Sequence, residues 1–420
     1  MTAQIYNLTI PDNWAVVPAD ELCSKITKGT TPSKNAIDIN ANIPFLRVNN
    51  LRFDGTVNLE ENTIFVKAEV HNTFLSRSIA YSGDILMNIV GPPLGKIGML
   101  NNHYYEYNLN QAILIYRADN LQIDRKYFLY WLMGEYAQKW LDIRSKKTSG
   151  QKNLTIEICK ELPIPVPPLA EQKKIAKILS TWDRAIETVE RLITNAQNQK
   201  KALMQQLLTG KKRFKEFEGQ EWREGRLDDF LKEVKGGGTP DRGNDEYWGD
   251  EIPWVTVKDL SSQTISTAKE FITRVGLLNS ASNLIEAGTV IIATRMAVGK
   301  AIVSTSDVAI NQDLKALFPD SNLSSKLLHQ MMLYHARRIE RLGSGSTVKG
   351  IRLEDIKSLE VRVPRTFEEQ EKIVLVMEIA EGKISKFYQQ ARALRTQKKA
   401  LMQQLLTGKR RVQVEGDNNG

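Results

Sequence analysis

QKKALMQQLLTGK at residues 199–211 and QKKALMQQLLTGK at residues 397–409 are the same thirteen letters, 198 positions apart. Chance does not supply such an identity, so the chain carries an internal repeat, and the repeat decides the architecture before any motif is weighed. Each copy closes a stretch of about forty residues that reads as one long helix. The first, residues 169–209, contains neither Pro nor Gly; Ile175, Trp182, Val189, Ala196 and Leu203 recur every seven residues, flanked by Leu179, Ile186, Ile193 and Leu207. In the second the series is Ile373, Ala380, Phe387, Leu394 and Leu401, flanked by Met377, Ile384, Ala391 and Leu405. Lys, Gln, Glu and Asn fill the opposite faces. Large residues in one copy stand where small ones stand in the other, as Trp182 against Ala380, which suits knobs-into-holes pairing. We expect Ile175, Trp182, Ile186, Val189, Ile193 and Leu203 to pair with Ile373, Ala380, Ile384, Phe387, Leu394 and Leu401. Pro167, Pro168 and Pro364 set extended entries, and Gly210 and Gly408 stop both helices in the left-handed region. Each rod is about 60 Å long at 1.5 Å per residue. A helix packed in an ordinary core is the blander reading; the length favours a coiled-coil spacer.

Outside the helices the two halves replay one order. Trp14 is answered by Trp222, Gly29-Thr30-Thr31-Pro32 by Gly237-Gly238-Thr239-Pro240, and Ile43-Pro44-Phe45-Leu46 by Ile252-Pro253-Trp254-Val255. Leu94-Gly95-Lys96 is answered by Val298-Gly299-Lys300, Asn110-Gln111 by Asn311-Gln312, and the loop at 146–154 by residues 345–351. We therefore expect an α+β chain: two homologous α/β globules separated by two long helices that form an antiparallel coiled coil, with a pseudo-twofold internal repeat. The boundaries are a globule at 1–168, a helix at 169–210, a globule at 211–366, a helix at 367–410 and a frayed polar tail at 411–420. Within the first globule, residues 15–17, 43–48, 85–90 and 113–116 read as strands, 21–27 as a short helix, 124–145 as helical, and 146–154 as a polar basic loop.

Composition narrows the class. The chain has 420 residues, 41% hydrophobic and 25% charged, enough for two or three domains. Its net charge of +9 is shared, with 24 basic and 20 acidic side chains in residues 1–210 and 34 and 29 in the rest. A shared excess fits a polyanion touched by both halves. Two cysteines, Cys23 and Cys159, suggest a reducing compartment rather than a disulfide framework. The opening residues lack a basic start followed by an apolar run, and no stretch reaches membrane-spanning length, so we expect a cytoplasmic protein with no membrane partner.

No catalytic constellation is legible. Gly91-Pro92-Pro93-Leu94-Gly95-Lys96 is one residue short of a phosphate loop, and Ile97 follows where Ser or Thr would bind Mg²⁺. A Gly turn presenting Lys96 and Lys300 outward, to phosphates or to solvent, is the better reading. His71, His103, His329 and His335 form no pair with a cysteine at zinc spacing, so no metal ligand is assigned. No nucleophile elbow or dinucleotide fingerprint is present. What remains is a set of polar loop residues of the types that read nucleic acid. Arg bonds guanine, Asn and Gln bond adenine, and Lys meets phosphate. The candidates are Lys28, Thr30, Thr31, Lys34, Arg47, Asn49, Asn50, Lys96, Lys146, Lys147, Lys152 and Asn153 in the first half. In the second they are Thr239, Arg242, Lys258, Arg295, Lys300, Lys349 and Arg352. Each of these alone is equally a solvated surface side chain.

Two globules, each followed by a long helix ending in KKALMQQLLTGK, resemble the specificity subunit of type I restriction–modification enzymes. PLAEQKKIAKIL at 168–179, FEEQEKIVLVM at 367–377, and the GTTP and GGTP loops downstream of a Trp carry the likeness across nearly the whole chain. The resemblance implies that each globule is a target recognition domain reading half of a split, asymmetric double-stranded DNA sequence. It implies that the paired helices fix the spacing and dock two modification (methyltransferase) subunits. On this reading the chain is non-catalytic and binds no cofactor. S-adenosylmethionine belongs to the modification subunits, and ATP and Mg²⁺ to a restriction (motor) subunit where one is present. The setting would be the bacterial or archaeal cytoplasm. A bilobed assembly scaffold that binds no DNA is the alternative, separable by its lack of salt-sensitive duplex binding.

Overall fold

The computed structural model describes residues 8–38, 40–60, 63–91, 93–148, 151–344 and 349–413. The chain forms two compact units, one of residues 1–189 with 390–420 and one of residues 190–389. The long helices are Leu169–Leu207 and Phe367–Leu405. Each unit is thus a globule together with the start of one helix and the end of the other. Gly210 and Gly408 follow the helices at φ 70° and 71°, the left-handed stop that glycine adopts without a Cβ penalty.

The first unit contains two four-stranded sheets. In one, Cys23–Lys28, Ile113–Ala118, Ile85–Asn88 and Ile97–Met99 lie side by side, all antiparallel. In the other the order is Ile64–Val66, Ile43–Leu46, Glu106–Leu109 and Ala80–Tyr81, with Ile43–Leu46 parallel to Glu106–Leu109. The second unit repeats both. Leu231–Gly236, Leu314–Pro319, Val290–Ala293 and Ala301–Ser304 form the first sheet, which gains Thr264–Ile265 at its edge. Glu270–Ile272, Trp248–Val255, Val308–Ile310 and Asn283–Ile285 form the second. Ile113, Leu114, Ile115 and Tyr116 are all buried, the signature of a strand covered on both faces.

Three expectations change. Residues 21–27 are not helical: Cys23–Lys28 is a strand, since Ile26 and Thr27 are β-branched and the segment finds a ladder partner in Ile113–Ala118. Residues 124–145 make two helices, Arg125–Met133 and Glu135–Arg144, separated at Gly134, whose ψ of 152° is extended. The loop at 146–154 is a short hairpin, Lys146–Thr148 with Gln151–Asn153, whose second strand pairs with Val90–Gly91.

Within each unit the two helix segments run antiparallel. In the first, Asp183 pairs with Lys398 and Glu171 with Arg411. In the second, Lys200 pairs with Glu381, and Gln197 Nε2 donates to Tyr388 Oη at 3.0 Å. Of the proposed pairing residues, Ile175, Val189, Ile193, Ile373 and Ile384 are buried, and Trp182, Ile186, Leu203, Ala380, Phe387, Leu394 and Leu401 are half-buried. The helix ends also serve the globules. Leu405 and Leu406 join Ile175, Leu179 and Trp131 in the first core; Leu207 and Leu208 join Ile373 and Met377 in the second. Each such leucine contributes about 1.5–3 kcal/mol by leaving water.

The Glu-Gln pair at the start of each helix fastens it to its globule. Gln172 Oε1 accepts from the Asp124 amide (2.8 Å) while Nε2 donates to the carbonyls of Pro167 (2.8 Å) and Gln122 (3.3 Å). Gln370 makes the same three bonds to Ser324 (2.9 Å), Pro364 (3.0 Å) and Asn322 (2.7 Å). Glu171 accepts from Trp14 Nε1 at 3.1 Å and from both edges of Arg411 at 2.8 and 2.9 Å. Glu369 accepts from Trp222 Nε1 at 3.1 Å and from Arg213 at 2.6 and 2.8 Å. Arg411, placed at the head of a frayed tail by its sequence, is therefore held.

Candidate nucleic-acid interface

In the first unit four strands end and one begins at a single edge. Leu114 stands opposite Lys28, Ile113 opposite Asn88, and Leu46 beside Leu109. Backbone bonds then tie the following loops together. Gly29 donates to Ile113 and Thr30 to Leu109 (2.9 Å each), Asn110 to Leu46 (3.0 Å), Ile89 to Ala112 and Leu154 to Ile89 (2.9 Å each). Residues 28–34, 47–50, 89–96, 110–112 and 151–154, far apart in sequence, thereby share one surface. Loops carried on a rigid sheet edge are a usual place for recognition.

The second unit builds the same edge. Gly238 donates to Ile310 (3.2 Å), Asn311 to Val255 (3.1 Å), Thr294 to Asp313 (2.8 Å) and Ile351 to Thr294 (2.9 Å). The glycine that opens the loop is required in both. A Cβ on Gly29 would lie 2.2 Å from the Leu109 carbonyl oxygen, and one on Gly237 would lie 1.9 Å from that of Ile310. The threonine two residues on meets the neighbouring glutamine each time: Gln111 N–H reaches Thr31 Oγ1 at 3.3 Å, and Thr239 Oγ1 donates to Gln312 Oε1 at 2.7 Å.

The candidate residues divide by exposure. Lys28, Thr31, Lys34, Asn49 and Lys146 are exposed; Thr30, Arg47, Lys96, Lys152 and Asn153 are half-buried. Lys147 lies on the strand Lys146–Thr148, its side chain outside the described set, as are Pro92 and residues 345–348. Asn50 is a correction. It is fully buried, its Oδ1 accepting from the Arg47 amide at 2.8 Å and its Nδ2 donating to the Asn58 carbonyl at 3.0 Å. It caps a one-turn helix, Val48–Asn50, and that helix presents Asn49. Asp259 caps the matching turn, Val257–Asp259, through Thr256 N and Oγ1, and there Lys258 is presented. Lys152 is spent on Asp142. Lys96 lies 5.9 Å from the ring centroid of Phe53 rather than reaching straight outward.

In the second unit Thr239, Arg242, Lys258, Arg295, Lys300 and Arg352 are exposed and Lys349 is half-buried. Arg242 is stacked 3.9 Å over Trp248 and forks onto Glu270, whose carboxyl that bond holds below its usual range. Its neighbours Asp241, Asp245 and Glu246 make this loop acidic, unlike the loop at 28–34. Lys300 is exposed but donates to the Leu260 carbonyl at 3.3 Å. Sequence reasoning passed over the residues that organise the edges. Asn88, fully buried, donates to the Pro93 carbonyl at 2.9 Å and accepts from the Lys96 amide at 2.8 Å, shaping the loop between them. A lone polar residue ending an apolar strand was its only signal.

His71 is buried, with Nδ1 2.8 Å from Asn108 Oδ1 and Nε2 2.9 Å from Glu106 Oε2. Among the described residues no group of three or more His, Cys, Asp and Glu is placed to hold a metal ion, and no helix is long and apolar enough to cross a membrane.

A globule built twice, each copy with one loop-bearing sheet edge and each followed by a long helix, defines a duplicated fold of mixed helix and sheet. Residues 11–198 and 219–390 match the family described as the type I restriction modification DNA specificity domain, and the chain belongs to that family. It is similar to a putative type I restriction enzyme MjaX specificity subunit of Methanocaldococcus jannaschii, 24% identical over 96% of this chain and 95% of that one. The type I restriction enzyme EcoR124I/EcoR124II specificity subunit of Escherichia coli is 26% identical over 60% of this chain and 62% of its own. Among solved structures, a chain from work on complex assembly and conformational transition of the type I R-M system aligns at TM-score 0.63. It is 18% identical, covering 95% of this chain and 98% of that one. The type I S subunit from M. genitalium aligns at 0.52, 16% identical, over 95% and 96%. At those identities the structural likeness speaks for the fold.

Proposed function

We propose that this chain is the non-catalytic DNA-reading subunit of a type I restriction–modification complex. Each unit reads one half of a split duplex site with its loop edge. The observation that carries this reading is the doubled edge. Corresponding scaffold residues, Gly29 with Thr31 and Gln111 in one unit and Gly237 with Thr239 and Gln312 in the other, stand beside different side chains. Asn49 stands where Lys258 stands, and Lys34 lies on a loop whose counterpart is acidic. One scaffold bearing two sets of donors suits two half-sites of different sequence, so the site is asymmetric. Lysines and arginines at both edges supply the phosphate contacts that position a duplex.

The long helices dock two modification subunits in this proposal. Leu375 and Ile379, one turn apart on the second helix, are 54% and 63% exposed, more apolar surface than a free helix face needs. Those partners carry S-adenosylmethionine and transfer the methyl group; a motor subunit, where present, uses ATP and Mg²⁺. The test is modified-base sequencing of DNA from cells expressing this chain with its modification subunit. The expected result is one bipartite, asymmetric methylated motif with a fixed spacer. Exchanging residues 211–366 for another globule changes one half of it. An assembled, cofactor-loaded complex that methylates no motif overturns the reading in favour of a scaffold.

A further inference from the structure

Among the described residues, one non-glycine residue has a positive φ: Met296, at 61°. It is the middle residue of a tight turn closed by the Ala297 amide on the Arg295 carbonyl at 2.6 Å, a three-residue geometry that is rare and strained. The Met296 amide donates to the Lys349 carbonyl at 3.0 Å, and Arg295 pairs with Gly350 across a β-bridge. In the first unit Lys152 pairs with Gly91 and Asn153 with Val90, so Gly91 occupies the place that Met296 occupies in the second. Gly91 has φ 139°, which glycine adopts freely. The second unit thus holds a positive φ with a side chain that disfavours it, at a cost of about 1–3 kcal/mol.

That side chain is not used for packing. Met296 is 65% exposed, on an edge where an apolar group gains nothing from water. Its surroundings are cationic. The segments 256–260, 294–300 and 349–352 carry Lys258, Arg295, Lys300, Lys349 and Arg352 against one carboxylate, Asp259, which is consumed as a cap. The contacts run from one to the next: Lys300 Nζ reaches Leu260 beside Lys258, the Lys300 amide donates to Ala297, and Met296 bonds Lys349. An exposed apolar tip on a strained turn, tied by backbone bonds to segments that carry cations, is the arrangement of a wedge, in which phosphate contacts hold the duplex while an unbranched apolar side chain enters a base step.

We propose that Met296 is such a wedge: its thioether side chain inserts into a base step of the half-site bound by the second unit and unstacks it. This rests on the DNA-reading function above. An apolar docking point for a protein partner is the competing use; the five cations favour the duplex.

The test uses the full chain assembled with its modification subunits and duplexes of the methylated motif, with 2-aminopurine placed at successive positions of the second unit's half-site. The wild type raises the fluorescence at one step. Met296→Gly abolishes that rise and weakens binding by about tenfold, as loss of a base-step contact requires. Met296→Leu retains both. Because glycine relieves the positive φ, Met296→Gly melts no lower than the wild type, so lost binding cannot be ascribed to lost fold. A wild-type complex that binds but brightens no position overturns the wedge, as does a glycine variant that binds and brightens like the wild type. A glycine variant that fails only in subunit assembly assigns Met296 to a protein contact instead. Wild type that binds no duplex removes the DNA-reading function itself, and the wedge with it.

Discussion

At the residue scale the two Trp–Glu–Arg locks allow a like-for-like comparison. Glu171 and Glu369 are both essentially buried, but Arg411 is 44% exposed and Arg213 only 17%. Water can replace Arg411 more readily. Arg213→Ala, which leaves a buried carboxylate without its charge partner, is expected to cost about 3 kcal/mol. Arg411→Ala is expected to cost about 1–2 kcal/mol. Urea midpoints of the two variants check the order, and equal losses would remove exposure as the explanation. A second residue-scale expectation concerns acid. Burial, helped by Arg338, pushes the His335 imidazole down to about 4, and burial also lowers His329. The unfolded value is about 6.5. A depressed folded pKa means the unfolded chain binds the proton first. Stability is therefore complete above about pH 6.5 and falls as pH drops toward 4. His335→Gln should flatten the dependence of the urea midpoint on pH across that window; an unchanged slope would show that other groups dominate.

At the scale of elements, each loop edge depends on a backbone approach that only glycine permits. Gly237→Ala pushes a methyl group into the Ile310 carbonyl. The loop must lift, which endangers the bond from Trp254 Nε1 to the Gly238 carbonyl (3.1 Å) and that from Thr239 to Gln312. We expect a loss of about 1–3 kcal/mol, the range for overpacking. We also expect the half of the methylated motif read by the second unit to be lost or relaxed while the other half is unchanged. A variant that is destabilised yet methylates the full motif would show that the loop scaffolds the fold without presenting base contacts. The helix starts make the same point about shared elements. The Glu-Gln pair looks like part of a polar helix face, but it is turned inward, and its six amide bonds belong to the globules.

At the scale of the whole molecule, each unit is completed by the helix end that follows the other globule. Inserting one heptad into each long helix, after Val189 and after Gln389, should lengthen the unread spacer of the methylated motif and leave both half-sites intact. Sequencing modified bases from cells carrying the insertion reads this directly. Altered half-sites with an unaltered spacer would end the idea that the helices measure the distance.

The amino-acid sequence by itself determined the repeat, the two long helices with their glycine stops, the family, and the polar loops that follow the strands in each half. These are written in local signals, namely identity at a fixed offset, apolar period and turn residues, which need no knowledge of the rest of the chain. The strand at 23–28 escaped because its partner lies some ninety positions away, and that pairing is what completes the local preference of its β-branched residues. Only the tertiary structure decided that Asn50 is a buried cap, that Arg242 is committed to Glu270, that Glu171 and Gln172 face inward, and that Met296 keeps a glycine's backbone. Burial and hydrogen-bond commitment are sums over neighbours brought together from distant positions. Whether a polar side chain is open to a ligand or already satisfied is settled only when those neighbours are in place.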